Sequence, residues 1–205
     1  MANNSIWSPA DITFFGSQNK IISLWGPIND DTSLPVISQI MELDKLKTSY
    51  PITILMNTEG GSQMDAYAIY DAIKSVTTPV TVIATGLCAS AGLIVLSAAN
   101  YKLCTQSTMF FYHQTVMESQ KGLNSLESSK GIHEAYEMLN ERYDKTIMNS
   151  SKINETLWNQ SFKDKTVKYF NSKEALHYGM VDDIITFKSK DININKYRSM
   201  YGIEG

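Results

Sequence analysis

Ile52-Thr-Ile-Leu-Met56 runs straight into Asn57-Thr-Glu-Gly-Gly-Ser62, and twenty-odd residues later Val80-Thr-Val-Ile-Ala84 runs into Gly86-Leu-Cys-Ala-Ser-Ala-Gly92. Each stretch is a short β-branched strand followed by small, turn-forming residues and then a helical pattern. A strand needs period two and a helix period 3.6, and the switch between them falls at the glycines. The same alternation surrounds this pair. Ile21-Ile-Ser-Leu24 reads as a strand closed by Gly26-Pro27, and Leu34 to Leu46 carries apolar residues at 36, 37, 40, 43 and 46, one face of a helix. A helix is expected over about 63–76, and a second apolar helix after Gly92. Further strands are expected near Tyr101–Thr105 and Thr108–His113. Near-continuous apolar strands alternating with helices predict an α/β sheet covered on both faces.

Residues 118–131 are polar with two glycines, and a long helix follows with apolar residues at 132, 136, 139, 143 and 147. That single stripe has to pack on something, and a second subunit is one expectation. All five prolines lie in the first 80 residues, and no linker, repeat or low-complexity tract divides the chain. One domain over residues 1–205 is expected, with 1–20 an N-terminal segment and 188–205 a tail.

The composition excludes several classes. A formal charge of -3 from 18 basic and 21 acidic residues offers no broad basic field for nucleic acid. The longest apolar stretch, about residues 91–99, is half of a membrane span, and the N-terminus lacks the regions of a secretory signal. Two cysteines, Cys88 and Cys104, give neither a disulfide framework nor a zinc site, so reduced thiols in the cytoplasm are expected. With three histidines in the chain, of which only His113 lies in a site-like motif, no metal and no cofactor is expected.

Three motifs could carry chemistry, and each has a plain structural reading beside it. Ser90 lies among small residues at a strand–helix junction, where a hydroxyl is exposed and a helix N-terminus supplies N–H groups; it could equally be only a helix cap. The Gly60-Gly61 pair lets the backbone adopt positive φ and approach a ligand, or forms an ordinary turn. His113, after the aromatic run Met109-Phe-Phe-Tyr112, could reach out as a general base or sit half-buried and hydrogen-bonded. His133 and His177 read as solvated helix residues.

Taken in order, Asn-x-x-Gly-Gly-Ser, then Ala-Ser-x-Gly about thirty residues on, then an apolar run ending His113-Gln114, resembles the ClpP family of Clp protease proteolytic subunits. The likeness extends to Ile22-Ser-Leu-Trp-Gly-Pro-Ile-Asn-Asp30, Gln39, Ala68-Ile-Tyr-Asp-Ala-Ile73 and Ser172-x-Glu-Ala-x-x-Tyr-Gly-Met-Val-Asp182, so it spans about residues 20–187.

The resemblance implies a crotonase-type fold of repeated ββα units with a protruding helical handle, here 118–150. It implies heptameric rings that stack into a hollow barrel, a polypeptide substrate and a Clp/Hsp100-type ATPase unfoldase as partner. By similarity Ser90 is the nucleophile, His113 its base, and the N–H groups of Gly61 and Ala91 the oxyanion hole. Residues 61–64 and 115–117 would pair with the substrate strand, and the handle stripe would meet the opposite ring.

The third triad member departs from the family. An aspartate is expected four positions before Ser172, where this chain has Lys168. An ammonium beside the imidazole would disfavour its charged form, and losing the acid costs such triads about four orders of magnitude in turnover. Asp164, a polar group such as Asn171, or no group at all are the alternatives. A catalytically weak ring subunit partnering an active paralogue is therefore the second reading. An acyl-CoA enzyme of the same superfamily is a third, disfavoured because Ser90 has no task there. Glu59 replaces the proline usual before the glycine pair. Thr53 and Leu55 stand where family tyrosines shape the unfoldase pocket.

Overall fold

In the computed structural model, residues 20–46, 50–114, 126–163 and 167–186 are described. The expected segments 1–20 (bar Lys20), 115–125 and 188–205, and with them the substrate-pairing residues 115–117 and Asp164, lie outside these.

Seven strands form one sheet: β1 (Ile21–Trp25), β2 (Ile52–Thr58), β3 (Val80–Ala89), β4 (Tyr101–Thr105), β5 (Met109–His113), β6 (Val167–Asn171) and β7 (Asp183–Ile185). The order β1-β2-β3-β4-β7 is parallel throughout. β3 outruns its expected end at Ala84, and the reason is Gly86. At φ +58° it breaks the register, so that residues 81–84 pair with β4 while Leu87, Cys88 and Ala89 pair with Met109, Phe110 and Phe111 of β5. The Asn57 carboxamide oxygen accepts from the Leu87 N–H at 3.0 Å and sits where a Gly86 side chain would be. β5 thus leaves the main sheet and pairs antiparallel with β6.

The strands do not read as buried on both faces. Burial alternates along β1 and β2, sealing Ile22, Leu24, Ile52, Ile54 and Met56 while Ile21 and Trp25 stay exposed and Thr53 and Leu55 half-exposed. Among the described residues the second face of this sheet edge is open, so the apolar run reflects side-chain shape, which suits a pleated strand, rather than two-sided burial.

Helix α1 (Asp30–Lys45) starts four residues before the expected Leu34. Asn29 accepts from the Thr32 N–H at 3.1 Å while Thr32 Oγ1 accepts from the Asn29 N–H at 3.0 Å, a reciprocal cap that outweighs Pro35 in the second turn. Helix α2 (Gln63–Ser75) is capped by Ser62. Helix α3 (Gly92–Ala98) is buried along its whole length. Helix α4 (Leu126–Asn149) is about 36 Å long and begins within the stretch read as polar loop. Its stripe divides: Tyr143 and Ile147 are buried in the chain's own body, whereas Ile132, Tyr136 and Leu139 stay half-exposed. The stripe is therefore only partly available to another subunit.

Below α4, the short helix α5 (Glu155–Trp158) continues as a π-turn (Asn159–Lys163), and α6 (Ser172–His177) follows β6. Tyr112, Tyr143, Trp158, Phe162, Phe170 and Tyr178 interlock there, with Tyr112 and Tyr143 stacked at 5.4 Å and Trp158 and Phe162 at 4.8 Å. Burying such rings contributes about 1.5–3 kcal/mol each and fixes β5 and α4 against each other.

Candidate active site

Two turns converge beside the sheet. At the end of β3, Ser90 adopts φ +52°, a left-handed conformation that costs a non-glycine residue about 1–2 kcal/mol. The surrounding structure holds it there. The Ser90 N–H donates to Phe111 O at 2.7 Å, and the Ser90 carbonyl accepts from the Leu93 N–H at 2.9 Å and from the Tyr143 hydroxyl at 3.0 Å. The half-exposed hydroxyl sits at the start of α3, where the first N–H groups of a helix have no intrahelical acceptors.

At the end of β2, Gly60 and Gly61 take φ +94° and +140°. A Cβ on Gly60 would lie 2.6 Å from Ser90 Cβ and 3.0 Å from Ala91 N, so the Gly60 backbone rests directly on the serine turn. Gly61 is pinned from the other side, by Ile28 N–H donating to Gly60 O at 2.7 Å and Ser62 N–H donating to Ile28 O at 2.8 Å. Gly60's own N–H is taken up by Thr58 Oγ1 at 3.0 Å. Among the described residues neither the Gly61 nor the Ala91 N–H has an acceptor. Two backbone donors on adjoining turns, unpaired among the described residues, are of the kind an anionic oxygen needs.

His113 closes β5, two residues beyond Phe111, the residue that pairs with Ala89 and accepts from Ser90. The Phe111 ring stacks on the imidazole at 5.2 Å and Tyr169 stacks on Phe111 at 4.4 Å. Nδ1 of His113 lies 2.8 Å from the Gln114 carbonyl oxygen. A carbonyl only accepts, so Nδ1 is the donor, and in the neutral ring the free lone pair is the one on Nε2.

The expected neighbours of the imidazole lie elsewhere. Lys168 pairs with Tyr112, and its ammonium donates to the Tyr178 hydroxyl at 2.8 Å over the Phe162 ring, not to the imidazole. Asn171 pairs with Met109 at the far end of the ribbon and caps α6 through Lys173 and Glu174 N–H groups, which removes it as an orienting group. Glu59 is exposed. His133 lies 3.3 Å from Glu137 on the exposed face of α4, and His177 is exposed at the end of α6. Among the described residues no His, Cys, Asp and Glu cluster could hold a metal, and no helix is long and apolar enough to cross a membrane.

Sequence reasoning missed Tyr143. It was legible only as one member of an apolar stripe, although a buried tyrosine hydroxyl ordinarily has a partner, and that alone flags the position.

A family model described as Clp protease matches residues 10–188. The chain belongs to the Clp protease family. Among its relatives in that family, the ATP-dependent Clp protease proteolytic subunit 2 of Prochlorococcus marinus (strain MIT 9312) is 32% identical over 177 residues, 83% of each chain. The subunit of the same name from Treponema pallidum (strain Nichols) is 28% identical over 170 residues, 82% of this chain and 83% of the relative. In three dimensions a point mutant of ClpP1 from Listeria monocytogenes superposes with a TM-score of 0.75 at 23% identity, covering 86% of this chain and 97% of that one. The fold is thus the ClpP fold.

Proposed function

We propose that this chain is a self-compartmentalised serine peptidase that hydrolyses peptide bonds of unfolded proteins or short peptides. Ser90 is its nucleophile, His113 its general base, and the Gly61 and Ala91 N–H groups its oxyanion hole. The observation that carries this reading is the seating of the double-glycine turn against the left-handed serine, with both N–H donors unpaired among the described residues.

A serine hydroxyl near neutral pH attacks only as a base removes its proton. Nε2 of His113 takes that proton while the hydroxyl oxygen bonds to the scissile carbonyl carbon. The carbonyl electron pair moves onto oxygen, facing the two donors. The imidazolium then gives the proton to the leaving amine, and water repeats the steps on the acyl-enzyme. The Gln114 carbonyl does the orienting that a carboxylate does in a complete triad. It fixes the tautomer but, being neutral, stabilises the imidazolium less, so turnover is expected to be slower than with a carboxylate. These steps need no metal or cofactor.

A fluorophosphonate probe should label Ser90, with Ser90→Ala abolishing labelling and cleavage of a fluorogenic peptide. Labelling that survives in the variant refutes the assignment. The lack of a carboxylate hydrogen-bonded to His113 among the described residues favours one second reading, a catalytically weak ring subunit partnering an active paralogue. Such a chain assembles yet turns over no peptide.

The family resemblance and the half-exposed upper stripe of α4 support assembly into stacked heptameric rings. The relatives' names support work with a Clp/Hsp100-type ATPase, whose docking would use the open sheet face around Thr53 and Leu55. Unpaired Cys88 and Cys104 fit a reducing, cytoplasmic setting.

A further inference from the structure

We propose that Tyr143 is a positioning residue that sets the oxyanion hole, by clamping the peptide unit that carries the Ala91 N–H. This rests on the reading of Ser90 and Ala91 given above and extends it to a side chain of α4.

The argument begins with the peptide plane. The Ser90 carbonyl and the Ala91 N–H belong to one planar unit and point in opposite directions across it. Whatever holds the carbonyl therefore aims the N–H. The Tyr143 hydroxyl donates to that carbonyl at 3.0 Å, and the Leu93 N–H takes its other side at 2.9 Å. Rotation of this plane would break both bonds, and of the two only the Tyr143 bond ties the plane to a separate element, α4.

Tyr143 is built to resist it. Its side chain is 1% exposed, and its ring lies 5.4 Å from that of Tyr112 at an interplanar angle of 3°. Tyr112 in turn donates to Asp144 at 2.7 Å, next to Tyr143 on the same helix. Burial pushes the phenol well above its ordinary pKa, which keeps it a donor at any pH of interest. One rigid hydroxyl from α4 thus reaches the peptide unit next to the nucleophile.

The test compares two deletions of one oxygen. Tyr143→Phe keeps the stacked ring and removes the clamp. Tyr67→Phe removes another hydroxyl that ties α4 to the body, Tyr67 to Thr146 at 3.0 Å, and leaves the Ser90 carbonyl's own partners in place. With a fluorogenic peptide and the full chain, Tyr143→Phe should lower kcat about tenfold, the factor one buried hydrogen bond is worth, with KM within twofold. It should slow fluorophosphonate labelling of Ser90 and weaken binding of a peptide boronate, whose tetrahedral adduct needs the hole, while leaving binding of the cleaved peptide unchanged. Tyr67→Phe should change none of these, even where it lowers the melting temperature as much. Equal kcat, labelling and boronate affinity in the two variants overturn the clamp and leave the peptidase reading standing. A parent chain that neither labels nor turns over peptide overturns both.

Discussion

The Lys168 ammonium donates to the Tyr178 hydroxyl at 2.8 Å and lies 4.3 Å from the centre of the Phe162 ring and 4.7 Å from that of Tyr178 itself. Its ladder partner is Tyr112, whereas His113 pairs with Val167. Successive strand residues point to opposite faces. The imidazole shares its face with Phe111, so the cation and the base lie on opposite sides of the β5–β6 ribbon. Lys168 is a cross-brace between β6, the π-turn and the end of α6.

Lys168→Asp consequently does not restore a triad. The shorter side chain cannot reach the Tyr178 hydroxyl, and its carboxylate would face aromatic π-clouds that repel anions. Turnover of a fluorogenic peptide is expected to stay at or below that of the parent. The loss of the cation–π contacts and the hydrogen bond should cost about 1–3 kcal/mol, read as a lower urea midpoint. A tenfold gain in turnover would place position 168 beside His113 after all and refute this.

The two cysteines should behave as inert core atoms. Both are fully buried, and burial pushes the Cys104 thiol up to about 11, with the nearby Asp183 adding to the effect. Cys88 is shifted further in the same direction, by burial first and by Cys104 second. At pH 8 roughly one Cys104 in a thousand would be thiolate, the reactive form. Iodoacetamide should leave the native chain unmodified and alkylate both positions in denaturant. Rapid native alkylation of either would show that this part of β3 and β4 is not packed as described.

Asp144 gives a pH dependence with a definite sign. Burial raises its carboxyl above the ordinary value of 3.8, with the Tyr112 hydrogen bond pulling partly the other way. A group raised in the folded state contributes its full stability below the unfolded pKa and loses it as pH climbs through the folded one. Asp144→Asn, which can still accept from Tyr112, should therefore be more stable than the parent at pH 7. Its advantage should shrink as pH falls through the raised folded-state pKa and be gone below 3.8. Urea unfolding at pH 7 and pH 3.5 checks both arms, and an advantage that grows toward acid would reverse the assignment.

How much of this was legible in the sequence depended on whether a residue type has one backbone use or several. Gly60-Gly61 and the small residues around Ser90 announced a place where chains come close, because a side chain at either glycine has nowhere to go. Asn29 carried an equally local signal in its pairing with Thr32, yet the apolar spacing that set the boundary begins only after Leu34. The direction of Lys168 was not readable at all. It is set by the register of β6 on β5, a non-local pairing that counting back from Ser172 cannot supply. Tyr143 was hidden in a different way, since periodicity reports burial of a ring and is silent on what its hydroxyl meets.

Gly61→Ala tests the double-glycine turn most sharply. An added Cβ would lie 2.3 Å from Ile28 O and 3.0 Å from Ile28 N, both backbone atoms that cannot swing aside, at a φ of +140°. The bridge to Ile28 must open, and the Gly61 N–H must then leave the place the proposed oxyanion hole needs. Stability should fall by about 2–4 kcal/mol from strain and the lost bridge, and kcat at least a hundredfold from the lost donor. Gly26→Ala separates the two effects. That glycine also has positive φ, +85°, but nothing lies within 4 Å of where its Cβ would be. It should cost only the backbone strain, about 1 kcal/mol, with kcat unchanged. A folded Gly61→Ala variant with the parent's kcat would mean that its N–H never meets the reacting oxygen, and the hole would then have to be built from Ala91 and something else.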